Sequence, residues 1–200
     1  MASKSAIINL DDADLEASET FTVNLTSSDA NVDDSDTGTG TINDNDTAAV
    51  TVEDVTVVEG VGMLYTVTLD NAVGGAFTVD VTLTDVSATG GAAPLVSPED
   101  YDNVVATLNF AGTAGETQQF TVATLDDALL EASETYTVSL SASNAAVDDS
   151  DTATGTITDN DNAAVTVEDV TETEGTGMVY TVTLDNAVGG AFTVDEIGRA

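Results

Sequence analysis

The stretch Leu10 to Thr47 (LDDADLEASETFTVNLTSSDANVDDSDTGTGTINDNDT) returns as Leu125 to Asn162, with about three quarters of its residues unchanged and a spacing of 115 residues. Ala48 to Asp80 returns almost verbatim as Ala163 to Asp195 at the same spacing. Self-similarity at a fixed long period marks a repeat architecture, and it constrains the fold more than local propensity does, because one packing solution has to serve every copy. The chain therefore divides into the last third of one unit (1–47), a complete unit (48–161), and the first third of another with a non-repeat tail (162–200). Where the first copy continues as Val81-Thr-Leu-Thr84, the second reads Glu196-Ile-Gly-Arg-Ala200, so both ends are expected to be cuts through an array.

Within the complete unit, short runs rich in Thr and Val alternate apolar and polar residues, the period of two that half-buried strands show. Seven strands are predicted. The first combines Val50 to Val52 with Val55 to Val58, followed by Leu64 to Leu69, Phe77 to Thr84, Val104 to Phe110, Gln118 to Thr124, Thr135 to Ser141 and Ala153 to Thr158. Tyr65, Val67, Leu69, Phe77, Val79, Val81, Leu83, Leu108, Phe110, Phe120, Val122, Tyr136, Val138, Leu140 and Ile157 then share one interior, with Thr facing water. Seven strands in a unit of this size predict an all-β, immunoglobulin-like antiparallel β-sandwich.

The formal net charge is −35, from 37 acidic residues against two basic ones, Lys4 and Arg199. Everything between those two lacks a cation, so the carboxylates must be hydrated or gathered around metal ions. Such a chain is repelled by nucleic acid and by anionic lipid, which excludes both as partners. No apolar run approaches the ~20 residues of a membrane span, and Met1-Ala-Ser-Lys-Ser5 lacks the apolar stretch of a signal peptide, so any export signal would lie elsewhere. Without cysteine or histidine there are no disulfides and no thiolate or imidazole ligands, which leaves hard oxygen chemistry.

Successive antiparallel strands swap ends, so the loops after the first, third, fifth and seventh strands meet at one pole. Glu59 follows the first strand. Asp85, Asp100 and Asp102 bracket the long loop after the third; Asp126, Asp127 and Glu131 follow the fifth; Asp159 and Asp161 follow the seventh. Calcium takes six to eight oxygens at ~2.3 to 2.6 Å, which such a cluster can supply, whereas magnesium's strict octahedron suits it less. The opposite pole carries Asp70 and Asn71 with Asp148, Asp149 and Asp151. It is expected to meet Asp44-Asn45-Asp46 of the preceding unit, making Asp44 and Asp46 candidate ligands at a module junction.

Several marks then resemble one family: Val50-Thr-Val-Glu-Asp54 with Glu59-Gly60, Asp100-Tyr101, Gly115-Glu-Thr117, Asp126-Asp127, Glu131-Ala-Ser-Glu-Thr-Tyr136, and the ending Gly155-Thr-Ile-Thr-Asp-Asn-Asp161. Together they are similar to Calx-β domains, named from the calcium-binding loops of sodium/calcium exchangers and found in bacterial surface proteins and integrin β4. The resemblance implies calcium ligands at Glu59, Asp85, Asp100, Asp159 and Asp161. Asn160 stands where exchanger members have the middle of three aspartates, which removes one formal charge.

The expected function is a calcium-binding structural or adhesive repeat of a large secreted or cell-surface protein, with neighbouring repeats as partners and no enzymatic activity. Asp36-Thr37-Gly38 resembles the aspartic-protease triplet, but its copy reads Asp151-Thr152-Ala153. A carboxylate pair for glycoside hydrolysis lacks aromatic platforms, since there is no Trp. Asn24-Leu-Thr26 and Asn45-Asp-Thr47 fit the glycosylation pattern, a short motif that arises by chance. Two further readings are a calcium sensor and a filament subunit that self-associates head to tail through its incomplete terminal units.

Overall fold

The computed structural model describes residues 6–103, 106–195 and 198. It contains strands and no helix among the described residues, so none is long and apolar enough to cross a membrane. In chain order the strands are β1 (Glu19–Asn24), β2 (Thr37–Ile42), β3 (Val50–Val52), β4 (Val55–Val58), β5 (Met63–Leu69), β6 (Phe77–Asp85), β7 (Gly90–Gly91), β8 (Tyr101–Asp102), β9 (Thr107–Phe110), β10 (Thr117–Val122), β11 (Glu134–Ala142), β12 (Thr152–Thr158), β13 (Val165–Val167) and β14 (Val182–Leu184).

A sandwich occupies β3 to β12. One sheet has the order β10-β5-β3, and the facing sheet runs β4-β12-β11-β6-β9. The first predicted strand is thus split: β3 pairs antiparallel with β5, while β4 crosses to the other sheet and pairs parallel with β12. Glu53 and Asp54 fall at that crossover, where Asp54 accepts the Thr154 N–H at 2.6 Å. The fourth predicted strand is shorter than expected: it appears as β9 over Thr107–Phe110, and Val104 and Val105 lie outside the described residues.

The interior follows the period of two. In β5, Met63, Tyr65, Val67 and Leu69 are buried while Leu64 is exposed, and in β6 Phe77, Val79 and Val81 are buried. Each such side chain contributes about 1.5 to 3 kcal/mol of burial, which a continuous two-sheet core can supply to a chain with no internal cation. Leu83 and Phe120 pack only partly buried at the margin. Ring pairs stack across neighbouring strands of each sheet, Tyr65 on Phe120 at 5.0 Å and Phe77 on Phe110 at 5.4 Å between centroids, and Tyr101 from the long loop stacks on Tyr136 of β11 at 4.1 Å. Tyr101 is fully buried although it lies in the long loop, where a two-residue strand shows no periodicity to read.

The two phenols at the centre satisfy each other. Tyr65 O–H donates to Tyr136 Oη at 3.0 Å, and Tyr136 O–H donates to Met63 Sδ at 3.0 Å. Burial and then this contact push the Tyr136 hydroxyl well above its usual range, so it stays neutral. Gly155 on β12 makes room for the pair, since a Cβ there would lie 2.4 Å from Tyr136 Cζ and 2.5 Å from Tyr65 Oη.

The flanking copies are simpler. β1 pairs with β2, and β13 with β14, each antiparallel. Phe21, Val23, Val167, Tyr180 and Val182 on these strands and their approaches are exposed, whereas Leu15 is buried against the central sandwich and belongs to its core.

Candidate metal centre

The register of the second sheet builds the acidic pole. Because β4 and β12 run parallel with Val58 beside Thr158, the residues that follow, Glu59 and Asp159, emerge side by side. Glu59 N–H continues the ladder to Thr158 C=O at 3.0 Å, and Asn160 N–H donates to Glu59 Oε1 at 3.1 Å. Asp159 holds the turn. Its Oδ1 accepts Asp161 N–H at 2.9 Å, and its Oδ2 accepts Glu131 N–H at 2.9 Å.

Two groups of three carboxylates result, each with oxygens within 4.8 Å of one another: Glu59 with Asp159 and Asp161, and Asp100 with Glu131 and Glu134. They are contiguous. Glu59, Asp100, Glu131, Glu134 and Asp159 line one small cavity of about 20 Å³ together with Leu125, Ala132 and Ile157. That is room for a single water-sized occupant.

The electrostatics show the strain of a one-signed site. Burial, then a hydrogen bond shared with Asp100 and the charges of Asp100 and Glu131, push Glu134 up to about 7. Burial likewise raises Glu131, helped by Asp100, Asp127 and Asp159. Burial raises Glu59 as well, and its carboxyl is hydrogen-bonded to Asp159. At Asp159 burial opposes ionisation, yet the N–H donors of Asp161, Glu131 and Asn160 together with the Glu59 carboxyl outweigh it, so its carboxyl sits low. A proton on Glu134 thus stands in for a missing positive charge.

One atom is left over. Among the described residues, Asp161 Oδ2 is the buried side-chain oxygen with no hydrogen-bond partner. A buried acceptor without a donor costs about 1 to 3 kcal/mol, a penalty that a cation against Glu59, Asp159 and Asp161 would remove. The donor set, all hard oxygen with no nitrogen or sulfur, fits calcium.

The remaining predicted ligands are distributed as follows. Asp85 accepts Tyr101 O–H at 2.5 Å and Gly90 N–H at 2.9 Å, tying the long loop to the end of β6. Asp102 lies in β8, its N–H donating to Ala123 C=O, and is in neither group of three. Asp126 accepts the Asn160 side-chain N–H at 3.2 Å, and Asp127 accepts Leu129 N–H at 2.8 Å, so both shape the rim. Asp44 and Asp46 occupy in the first copy the places of Asp159 and Asp161, with Asp44 accepting Glu16 N–H at 3.0 Å and Asp46 N–H at 3.3 Å. At the other pole Asp70, Asp148, Asp149 and Asp151 bond backbone N–H groups of Ala49, Ser150, Ala142 and Val52. Sequence reasoning places Glu131 among the acids of this pole, though not among the ligands that the family resemblance implies, and does not select Glu134. The signal available is their spacing ahead of β11, which brings both back under Asp100.

Residues 41–171 match the model of the Calx-beta domain. The chain belongs to the Calx-beta domain family. Among solved structures, this Calx-beta chain is similar to the apo form of the Calx CBD1 domain, at 20% identity and TM-score 0.48, over 58% of this chain and 100% of that one. It is also similar to CBD12 from CALX1.2, at 20% identity and TM-score 0.48, over 59% of this chain and 49% of that one. The calcium binding domain CBD12 of CALX1.1 gives 19% identity and TM-score 0.45, over 58% and 49%. The chain thus spans about half the length of the two CBD12 structures. No curated protein sequence matches it.

Proposed function

We propose that this Calx-beta chain binds calcium at the acidic pole of its central sandwich and serves as a non-catalytic spacer or adhesive repeat of a secreted or cell-surface protein. The observation that carries the reading is the unpartnered, buried Asp161 Oδ2 within reach of Glu59 and Asp159, in a segment with no basic residue. Glu59, Asp159 and Asp161 would hold one ion, and Asp100, Glu131 and Glu134 a second. Asp85, Asp102, Asp126 and Asp127 would support them from the rim. The unit would span 48–161, with 1–47 and 162–200 belonging to its neighbours. A bound ion supplies the positive charge that a proton at Glu134 replaces, so the pole is rigid when loaded. Extracellular calcium modules work at ~10⁻⁴ to 10⁻³ M, and that range is expected here. Isothermal titration calorimetry with calcium and with magnesium at matched ionic strength tests it. Heat from calcium alone, with the share of the Glu59, Asp159 and Asp161 site lost in Asp159→Asn with Asp161→Asn, is the expected result; no heat at millimolar calcium, or equal heat from both ions, would overturn it.

A further inference from the structure

We infer that the segment Leu-Glu-Ala-Ser-Glu entering the β1 and β11 strands is a docking clip by which each repeat of this chain fastens to the Asn-Ala-Val-Gly-Gly turn of the repeat that follows. The contact is built twice, from the same atoms. Leu15 N–H donates to Ala72 C=O at 2.9 Å and Leu15 C=O accepts Gly74 N–H at 2.8 Å, forming a parallel bridge to Val73. At the second junction, 115 residues on, Leu130 N–H donates to Ala187 C=O at 3.1 Å and Leu130 C=O accepts Gly189 N–H at 2.9 Å, with the bridge to Val188. Residues 15–20 and 71–77 are identical to 130–135 and 186–192.

The surface is a built one. At the first junction Leu15 and Val73 are each 7% exposed, so the apolar pair closes the joint. The receiving turn is held from within its own sandwich by Val73 N–H to Gly112 C=O at 2.9 Å. The receiving turn comes close: a Cβ at Gly189 would stand 3.0 Å from Cγ and Oε1 of Glu131, and one at Gly74 would stand 3.4 Å from Glu16 Cγ and 3.5 Å from Leu15 O. On the donor side the clip is anchored by its next residue, Glu16 N–H to Asp44 and Glu131 N–H to Asp159.

A single clip would leave a swivel, but the connecting chain is tied as well. Asn71 Nδ2 donates to Thr47 C=O at 2.9 Å and Ala49 N–H to Asp70 Oδ1 at 2.7 Å. Asn186 Nδ2 donates to Asn162 C=O at 2.7 Å and Ala164 N–H to Asp185 Oδ1 at 2.6 Å. Of these four bonds, Asn71 to Thr47 crosses from one unit to the next, and the other three hold the entry of the following unit against its own turn; with the clip and the short connecting chain they give consecutive repeats one mutual orientation. This joint is made of backbone hydrogen bonds and a Leu–Val pair, buried at the first junction and half-buried at the second, with no ion in it, so it goes beyond the calcium reading and stands without it.

The chain has no cysteine, so introduced pairs report cleanly. The Leu15→Cys/Val73→Cys and Leu130→Cys/Val188→Cys variants of the whole chain are oxidised at low concentration with chelator present. Intramolecular disulfides at both junctions, at least about tenfold faster than in a Leu130→Cys/Phe192→Cys control, are expected from the Cα separation of bridged residues; rates no faster than the control would overturn the clip. A second measurement breaks the backbone bond of the clip and leaves Val188 in place. Spin labels on Thr82→Cys and Thr183→Cys give a narrow distance distribution, and adding Leu130→Pro, which removes the N–H donated to Ala187, broadens it about twofold while the thermal transition of the central sandwich persists. An unchanged width would refute the docking role. Both readouts are taken without calcium, so a failure of ion binding leaves them unaffected.

Discussion

Replacing Asp161 by Asn is expected to change stability in opposite directions in chelator and in calcium. Without metal, Asp161 Oδ2 is buried without a donor between two other carboxylates. The amide keeps the N–H bond from residue 161 to Asp159 Oδ1, removes one charge, and offers an N–H₂ to Glu59 or Asp159. Relief of an unsatisfied buried acceptor is worth about 1 to 3 kcal/mol; taking the lower half, the variant gains about 1 to 2 kcal/mol in chelator. In 10 mM calcium the wild-type protein, with a dissociation constant of ~10⁻⁴ to 10⁻³ M, gains about 1.4 to 2.7 kcal/mol per site by mass action. The variant forfeits most of that from its own site. At about 4 °C per kcal/mol for a domain of this size, thermal unfolding by circular dichroism should show the variant ~4 to 8 °C above wild type in chelator, with a calcium-induced rise about 5 to 10 °C smaller. A variant less stable than wild type in chelator, or one keeping the full calcium-induced rise, would refute the reasoning that this carboxylate is strained for want of a cation.

Without metal, the folded state holds a proton on Glu134 up to about 7, against 4.5 ordinarily, so it binds more protons than the unfolded chain in that window. Stability contributed by that group is therefore present at low pH and lost as pH rises from about 4.5 through 7; urea midpoints in chelator should fall across this range and flatten in Glu134→Gln. Tyr136→Phe removes the acceptor of the fully buried Tyr65 hydroxyl and should cost about 1 to 3 kcal/mol in denaturant unfolding. Gly155→Ala forces a methyl against Tyr136 and Tyr65 and should lower stability by about 1 to 3 kcal/mol; a neutral effect would mean the central rings shift freely. Glu116 accepts the N–H groups of Ala111, Gly112 and Thr113, which hold its carboxyl low, so Glu116→Ala should loosen the loop before β10 and raise its amide exchange.

The alternation of Val and Thr determined the strands, since a period of two leaves one way to bury Tyr65, Val67 and Leu69 together. The strand count then determined the parity of the loops and the pole to which Glu59, Asp100 and Asp159 go. The charge balance determined that such a pole has no internal cation. Three things were decided only in the tertiary structure. The crossing of β4 to the second sheet is one, because nothing local distinguishes pairing with β5 from parallel pairing with β12, yet that register sets Glu59 against Asp159. The second is the choice among many equivalent carboxylates: Asp85 goes to Tyr101 and Asp126 to Asn160, while Glu131 and Glu134 turn inward under Asp100, a sorting made by which backbone N–H and hydroxyl donors come within reach after folding. The third is the joint at Leu15 and Leu130. In sequence each is an apolar residue in an acidic loop with nothing local to mark it, and only the approach of the Ala-Val-Gly turn gives it a partner.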